Sequence, residues 1–132
     1  MAHSNVEVVK SVVAAFNRGD FSAAMDMLTE DVEFDWSRRM LDGEVLRGRE
    51  EAVGFLQSMT ELFDEIHIPS DELTDLGEGL VLLFGKARFK GRASGLDVEA
   101  SAANLWTVRD GKVARFRFYQ TKEDALEDAA TS

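Results

Sequence analysis

Cysteine is absent from the 132 residues, and with it go disulfides, thiolate metal ligands and cysteine nucleophiles. The residue that would report an oxidising or reducing compartment is therefore missing too. Histidine occurs only as His3 and His67, and the first lies near the terminus. A histidine-based metal centre runs out of ligands, and neither metal nor cofactor is expected. Basic charge is scarce: 15 Lys and Arg against 25 Asp and Glu leave a formal charge of -10, which repels phosphate backbones and anionic membrane surfaces. No apolar run approaches the roughly 20 residues of a membrane span. The polar start from His3 to Glu7 lacks the pattern of a signal peptide. The expectation is a cytoplasmic protein without nucleic-acid or membrane partners.

What is present is an ordinary globular composition, 45% hydrophobic and 30% charged, with a lone Pro69 and no low-complexity stretch. One domain over 1–132 is expected, ordered from about residue 4 to 129. Ser4 with Glu7 opens a helix whose stripe is Val6, Val9, Val13 and Phe16, and Gly19 ends it. Asp20 caps a second, short helix. From Asp31 to Trp36 the pattern alternates, with Val32, Phe34 and Trp36 on one side and Asp31, Glu33 and Asp35 on the other. A polar connection, Ser37 to Gly48, leads to a third helix carrying Ala52, Val53, Leu56, Met59, Leu62 and Phe63.

The rest reads as strands. One is expected around Ile66 to Leu76, then a turn at Gly77-Glu78-Gly79, a long strand from Leu80 to Lys90, and another from Asp97 to Val108. Asp110-Gly111 is a strong hairpin signal, because both positions tolerate positive φ. A strand to about Gln120 follows, then a short helix capped by Thr121 that carries Ala125, Leu126 and Ala129. This order implies an α+β fold: a cone-shaped, curved antiparallel sheet, a partial barrel, with three helices packed in its concave side. Such a cone leaves room between helix and sheet for a hydrophobic small molecule.

Three runs, Ala15-Phe16-Asn17-Arg18-Gly19-Asp20, Arg47-Gly48-Arg49-Glu50-Glu51 and Leu105 through Val113, resemble the SnoaL-like branch of the nuclear-transport-factor-2-like superfamily. That superfamily includes the ketosteroid isomerases. The resemblance extends from about Val6 to Ala129 and marks architecture rather than chemistry. It implies isomerase, cyclase or hydratase chemistry on an apolar substrate, or binding without turnover. It also implies a homodimer through the outer sheet face, where Leu105 stands among polar neighbours. Lined up by Asn17, Gly19 and Asp20, the tyrosine of the ketosteroid isomerases falls on Val12 and their carboxylate base on Trp36, beside Asp35. Their protonated aspartic acid falls on Asn104. The Arg-x-Asp pair of the epoxide-hydrolase branch appears on no predicted strand.

Asn104 alternates with Val98, Ala100, Ala102, Trp106 and Val108, so an amide is expected inside an apolar row. A buried amide must be satisfied by a ligand, a water or a neighbour such as Trp36 or Gln120. Asn104 is the candidate for polarising a carbonyl oxygen. Asp35 is the candidate base, if a bulge swings it inward against the alternation. Asp42 and Glu44 follow it in rank, and Arg38 and Arg39 stand near the expected mouth. Phe16, Trp36, Phe55, Met59, Phe63, Trp106, Phe118 and Gln120 are the remaining candidate lining residues. Aromatic and methionine stripes at these spacings usually mean plain core packing, and only the cone geometry suggests that some of them line a void. Gly85, Ala87, Ala100, Ala102 and Ala114 are small enough to leave volume on a concave face.

Overall fold

The computed structural model describes residues 4–37, 45–69, 72–91 and 97–131, without the side chains at 59, 60, 62–64 and 131. Helix α1 (Asn5–Asn17) begins where Ser4 Oγ accepts the Glu7 N–H, at 3.1 Å. It ends before Gly19, at φ 77°. Asp20 accepts the Ala23 N–H to start α2 (Phe21–Asp26). Strand β1 (Leu28–Asp35), the three-residue β2 (Val45–Arg47), α3 (Arg49–Leu62) and β3 (Phe63–His67) follow. Then come β4 (Glu72–Gly77), β5 (Leu80–Gly91), β6 (Asp97–Arg109), β7 (Lys112–Tyr119) and α4 (Lys122–Thr131).

The strands form one curved, unclosed sheet in the order β2-β1-β7-β6-β5-β3, with β4 also pairing β5. All pairs are antiparallel except β1 with β7, which runs parallel. Register shifts interrupt the ladders of β1 with β7, β3 with β5, β4 with β5 and β6 with β7. Such irregularities bend strands, and they suit a sheet that wraps around helices. The tight turn at Asp110-Gly111 has both residues at positive φ, 53° and 78°, as the hairpin signal requires.

The single strand expected around Ile66 to Leu76 is two, both paired to β5. Pro69 lies between them, and a proline has no N–H to give a ladder. Asn17 reaches across from the end of α1 to hold the break: its Nδ2 donates to the Ile68 carbonyl at 2.9 Å and its Oδ1 accepts the Ile68 N–H at 2.8 Å. β2 interrupts the connection expected to be irregular, and Arg49 behind it donates twice to the Leu28 carbonyl, at 2.9 and 2.6 Å. The resemblance-bearing residues Asn17, Gly19, Asp20 and Arg49 thus end helices and pin strands.

Two cores lie on opposite faces of the sheet. On the concave face, Val9, Val12 and Val13 of α1 and Ala52 and Val53 of α3 pack on Val32, Phe34, Leu83, Trp106 and Phe116. On the convex face α4 covers Leu82, Ala103, Leu105 and Tyr119 through Ala125. Leu105, expected on a free outer face, is therefore buried by the chain's own last helix, while Leu126 of α4 is exposed. Arg117, also buried, pairs with Asp128 of α4 at 3.0 Å, and the Tyr119 hydroxyl donates to the same carboxylate.

Candidate functional site

A cavity of about 130 Å³ lies between the concave face and the helices. Its wall is built by the alternation of the strands: Phe34 and Trp36 from β1 and the residue after it, Ala100, Ala102, Asn104 and Trp106 from β6, and Phe116 and Phe118 from β7. Val12, Val13 and Phe16 of α1 and Leu56 of α3 close it from the other side, and Ile68, Ala87 and Phe89 complete one end. Three alanines on adjacent strands, Ala87 opposite Ala100 and Ala102 next along the same face, withhold the side-chain volume that would fill it.

Gly85 was expected to add to this space, but a Cβ there would stand 2.8 Å from Pro69 Cγ. The proline ring occupies the room that the glycine leaves. Ala114 is not on the cavity wall.

Asn104 is 3% exposed, and no described residue hydrogen-bonds its side chain. It pairs with Leu83 on one side and Phe118 on the other, so its amide is ringed by apolar groups. Trp36 lies flat on Phe118, Phe118 meets Phe116 edge-on, and Phe116 tilts against Trp106. The four rings make a continuous aromatic row along the wall. The indole nitrogens at its two ends, Trp36 Nε1 and Trp106 Nε1, are buried without a hydrogen-bond partner among the described residues. Asn104, Ser101 and the two tryptophans are the lining residues on the described wall that carry polar side-chain atoms, and the indole nitrogens themselves are packed over.

Of the lining residues expected from sequence, Phe16, Trp36, Asn104, Trp106 and Phe118 are on the wall. Phe55 stands behind it, tilted against Trp36 with ring centroids 4.9 Å apart. Gln120 is exposed, because β7 ends at Tyr119 and the chain bends there toward α4. The side chains of Met59 and Phe63 lie outside the described residues, as do Arg38, Arg39, Asp42 and Glu44.

Asp35 is buried, but on the other face. No bulge turns it: β1 stays in register with β7 from Glu33 to Asp35, and Asp35 pairs with Arg117 of the convex side. Its Oδ1 accepts both the backbone N–H and the hydroxyl of Ser37, and its Oδ2 stands 3.9 Å from Arg115. Sequence reasoning passed over Val12, Leu56, Ile68 and Phe89 as lining residues. Their alternation or helical spacing was visible, but the same spacing describes solid core.

The model of the SnoaL-like domain matches residues 9–116, most of the chain. The chain belongs to the SnoaL-like family. Solved structures share the fold of this SnoaL-like chain at low identity. A proposed polyketide cyclase of Xanthomonas campestris superposes with a TM-score of 0.77 at 24% identity, covering 94% of this chain and 98% of that one. TerC, co-crystallized with polyporic acid, gives 0.76 at 21%, covering 97% and 98%. A ketosteroid-isomerase-like protein of Catenulispora acidiphila in complex with trimethylamine gives 0.76 at 14%, covering 94% and 92%. No curated protein matches the sequence significantly. Among the described residues no helix is long and apolar enough to cross a membrane, and no cluster of His, Asp and Glu is suited to a metal ion.

Proposed function

We propose that this SnoaL-like chain binds a small, largely apolar carbonyl compound in the concave cavity and polarises its oxygen with the amide of Asn104. The observation that carries this is an amide buried in an apolar wall with no partner among the described residues. A donor waiting in a dry site is worth more to a developing oxyanion than the same donor in water. Polarising a carbonyl acidifies the C–H bonds beside it, the step shared by isomerisation, aldol-type cyclisation and dehydration. A cavity of this size suits one ring, since an engineered apolar cavity of about 150 Å³ holds benzene.

Binding without turnover is the second reading. It is favoured by the wall itself, where no described residue is a carboxylate, histidine, lysine or tyrosine that would take a proton.

Cyclohexanone in D₂O separates the two. Its binding is followed by tryptophan fluorescence, since both tryptophans of the chain line the cavity. Deuterium entry at its α-carbon is followed by NMR. Binding with exchange above the buffer background, lost in Asn104→Leu, is the result expected for the enzyme. Binding that weakens in Asn104→Leu without exchange leaves the second reading, and no binding at all removes both.

A homodimer through the outer sheet face is part of the same proposal. With α4 over Leu105, part of the face left uncovered lies on β3, β5 and β6, where Arg88 and Glu99 pair at 3.7 Å and Lys86 and His67 are exposed. Both signs of charge are present, so the patch can complement a second copy of itself about a two-fold axis. Sedimentation velocity should show a dimer that weakens with salt. A monomer at every concentration would refute it.

A further inference from the structure

The polar groups carried by the residues of the cavity wall are mostly donors. An indole nitrogen can only donate, and an amide side chain carries two N–H bonds against one oxygen. Trp106 is 5% exposed, and its Nε1, like that of Trp36, is buried with no partner among the described residues. Leaving such donors unpaired is expensive, and wall rings that could have been phenylalanine gain nothing from it. No described wall residue is charged, so nothing there would compensate an ion.

Asn104 stands between the two indoles. It alternates with Trp106 on one face of β6, about 7 Å along the strand. It is also paired with Phe118, the ring on which Trp36 lies.

We infer that the cavity selects neutral cyclic molecules bearing two carbonyl-type oxygens and no donor of their own, one oxygen for Asn104 and the other for an indole N–H of Trp36 or Trp106. This rests on the cavity reading above and narrows it to a substrate class. In the empty cavity both nitrogens are packed over. An acceptor reaches one of them when its indole turns about the Cβ–Cγ bond, a motion that for Trp36 gives up the stack on Phe118 and for Trp106 the contact with Phe116. A hydroxyl in place of the second oxygen can still accept an indole N–H but brings an O–H for which the described wall offers few acceptors, and a hydrocarbon leaves every donor unpaired.

The test uses ¹⁵N-labelled protein, whose two tryptophans give two indole N–H signals, assigned with Trp36→Phe and Trp106→Phe. The probes are cyclohexane-1,4-dione, cyclohexanone, trans-cyclohexane-1,4-diol and cyclohexane, one ring size throughout. The expected result is that the dione binds about tenfold more tightly than cyclohexanone, the gain of one further hydrogen bond. It should shift at least one indole N–H signal downfield, and the diol should bind more weakly than the dione. If a tryptophan variant does not fold, the wild-type shifts decide alone. Equal affinity for dione and monoketone, with both indole signals unmoved, overturns the inference and leaves the carbonyl-binding cavity standing. Failure of all four rings to perturb any wall resonance removes the cavity reading and this inference together.

Discussion

An amide held among valines, alanines and aromatic rings lowers stability unless something pairs with it, and at Asn104 nothing in the described protein does. Burying an unpaired amide costs about 1–3 kcal/mol in protein mutational data. Leucine has nearly the same shape and no such debt, so Asn104→Leu should raise resistance to urea by on the order of 1 kcal/mol while weakening cyclohexanone binding about tenfold. Equilibrium unfolding read beside the titration checks both. A variant that is instead a kilocalorie less stable would mean that the amide has a structural partner. A glycine pair gives a second comparison at this scale. Gly79 and Gly111 both sit at positive φ, 81° and 78°, and both pay for a side chain in that region. Only at Gly79 would the added Cβ meet backbone, the Val108 carbonyl oxygen at 2.6 Å. Gly79→Ala should therefore lose at least about 1 kcal/mol more than Gly111→Ala in urea unfolding, the usual range for forced overpacking.

Among the elements, α4 shows how far local signals reach. Its start was legible, since Thr121 Oγ1 accepts the Asp124 N–H at 3.1 Å as a capping residue should. The face of the sheet it covers was not, because that depends on Arg117, Tyr119 and Asp128 meeting through space. Asp128→Ala takes from the buried Arg117 its carboxylate and from Tyr119 an acceptor. Loss of one member of a buried pair leaves the other charge poorly compensated, so the variant should lose on the order of 3 kcal/mol. Hydrogen exchange should rise first in residues 122–131. A loss below about 0.5 kcal/mol would show that Ala125 and its apolar contacts hold the helix unaided. The same contrast runs through the strands. Alternation placed β1, β5, β6 and β7 within a few residues, and the Asp110-Gly111 hairpin was readable because its turn is local. The split at Pro69 is held by Asn17, fifty-one residues from its partner Ile68, and β1 lies parallel to β7 through contacts that no window of sequence contains.

For the whole molecule, the difficulty in reading the site was volume rather than chemistry. Alternation alone turned Asn104, Trp36 and Trp106 inward and Asp35 outward, and the structure has them so. Whether small residues leave a hole depends on what the opposite layer sends toward them: beside Ala87, Ala100 and Ala102 space remains, whereas Pro69 fills it at Gly85. The cavity that results touches α1, α2, α3 and strands β1, β5, β6 and β7, so an occupant holds the helical layer and the sheet together. A ligand that binds only the folded chain stabilises it by RT ln(1 + [L]/Kd), about 2.7 kcal/mol at a hundredfold excess over Kd. Cyclohexane-1,4-dione at that level should raise the melting temperature of the wild type by several degrees, and more than cyclohexanone does at the same concentration. In Asn104→Leu both rises should shrink, because the wall then offers no amide to fix the first oxygen, and the dione should keep the larger one, because an indole N–H still meets its second oxygen. A full rise in that variant, measured by calorimetry, would mean that the ligand is held by apolar contact alone and that the amide takes no part.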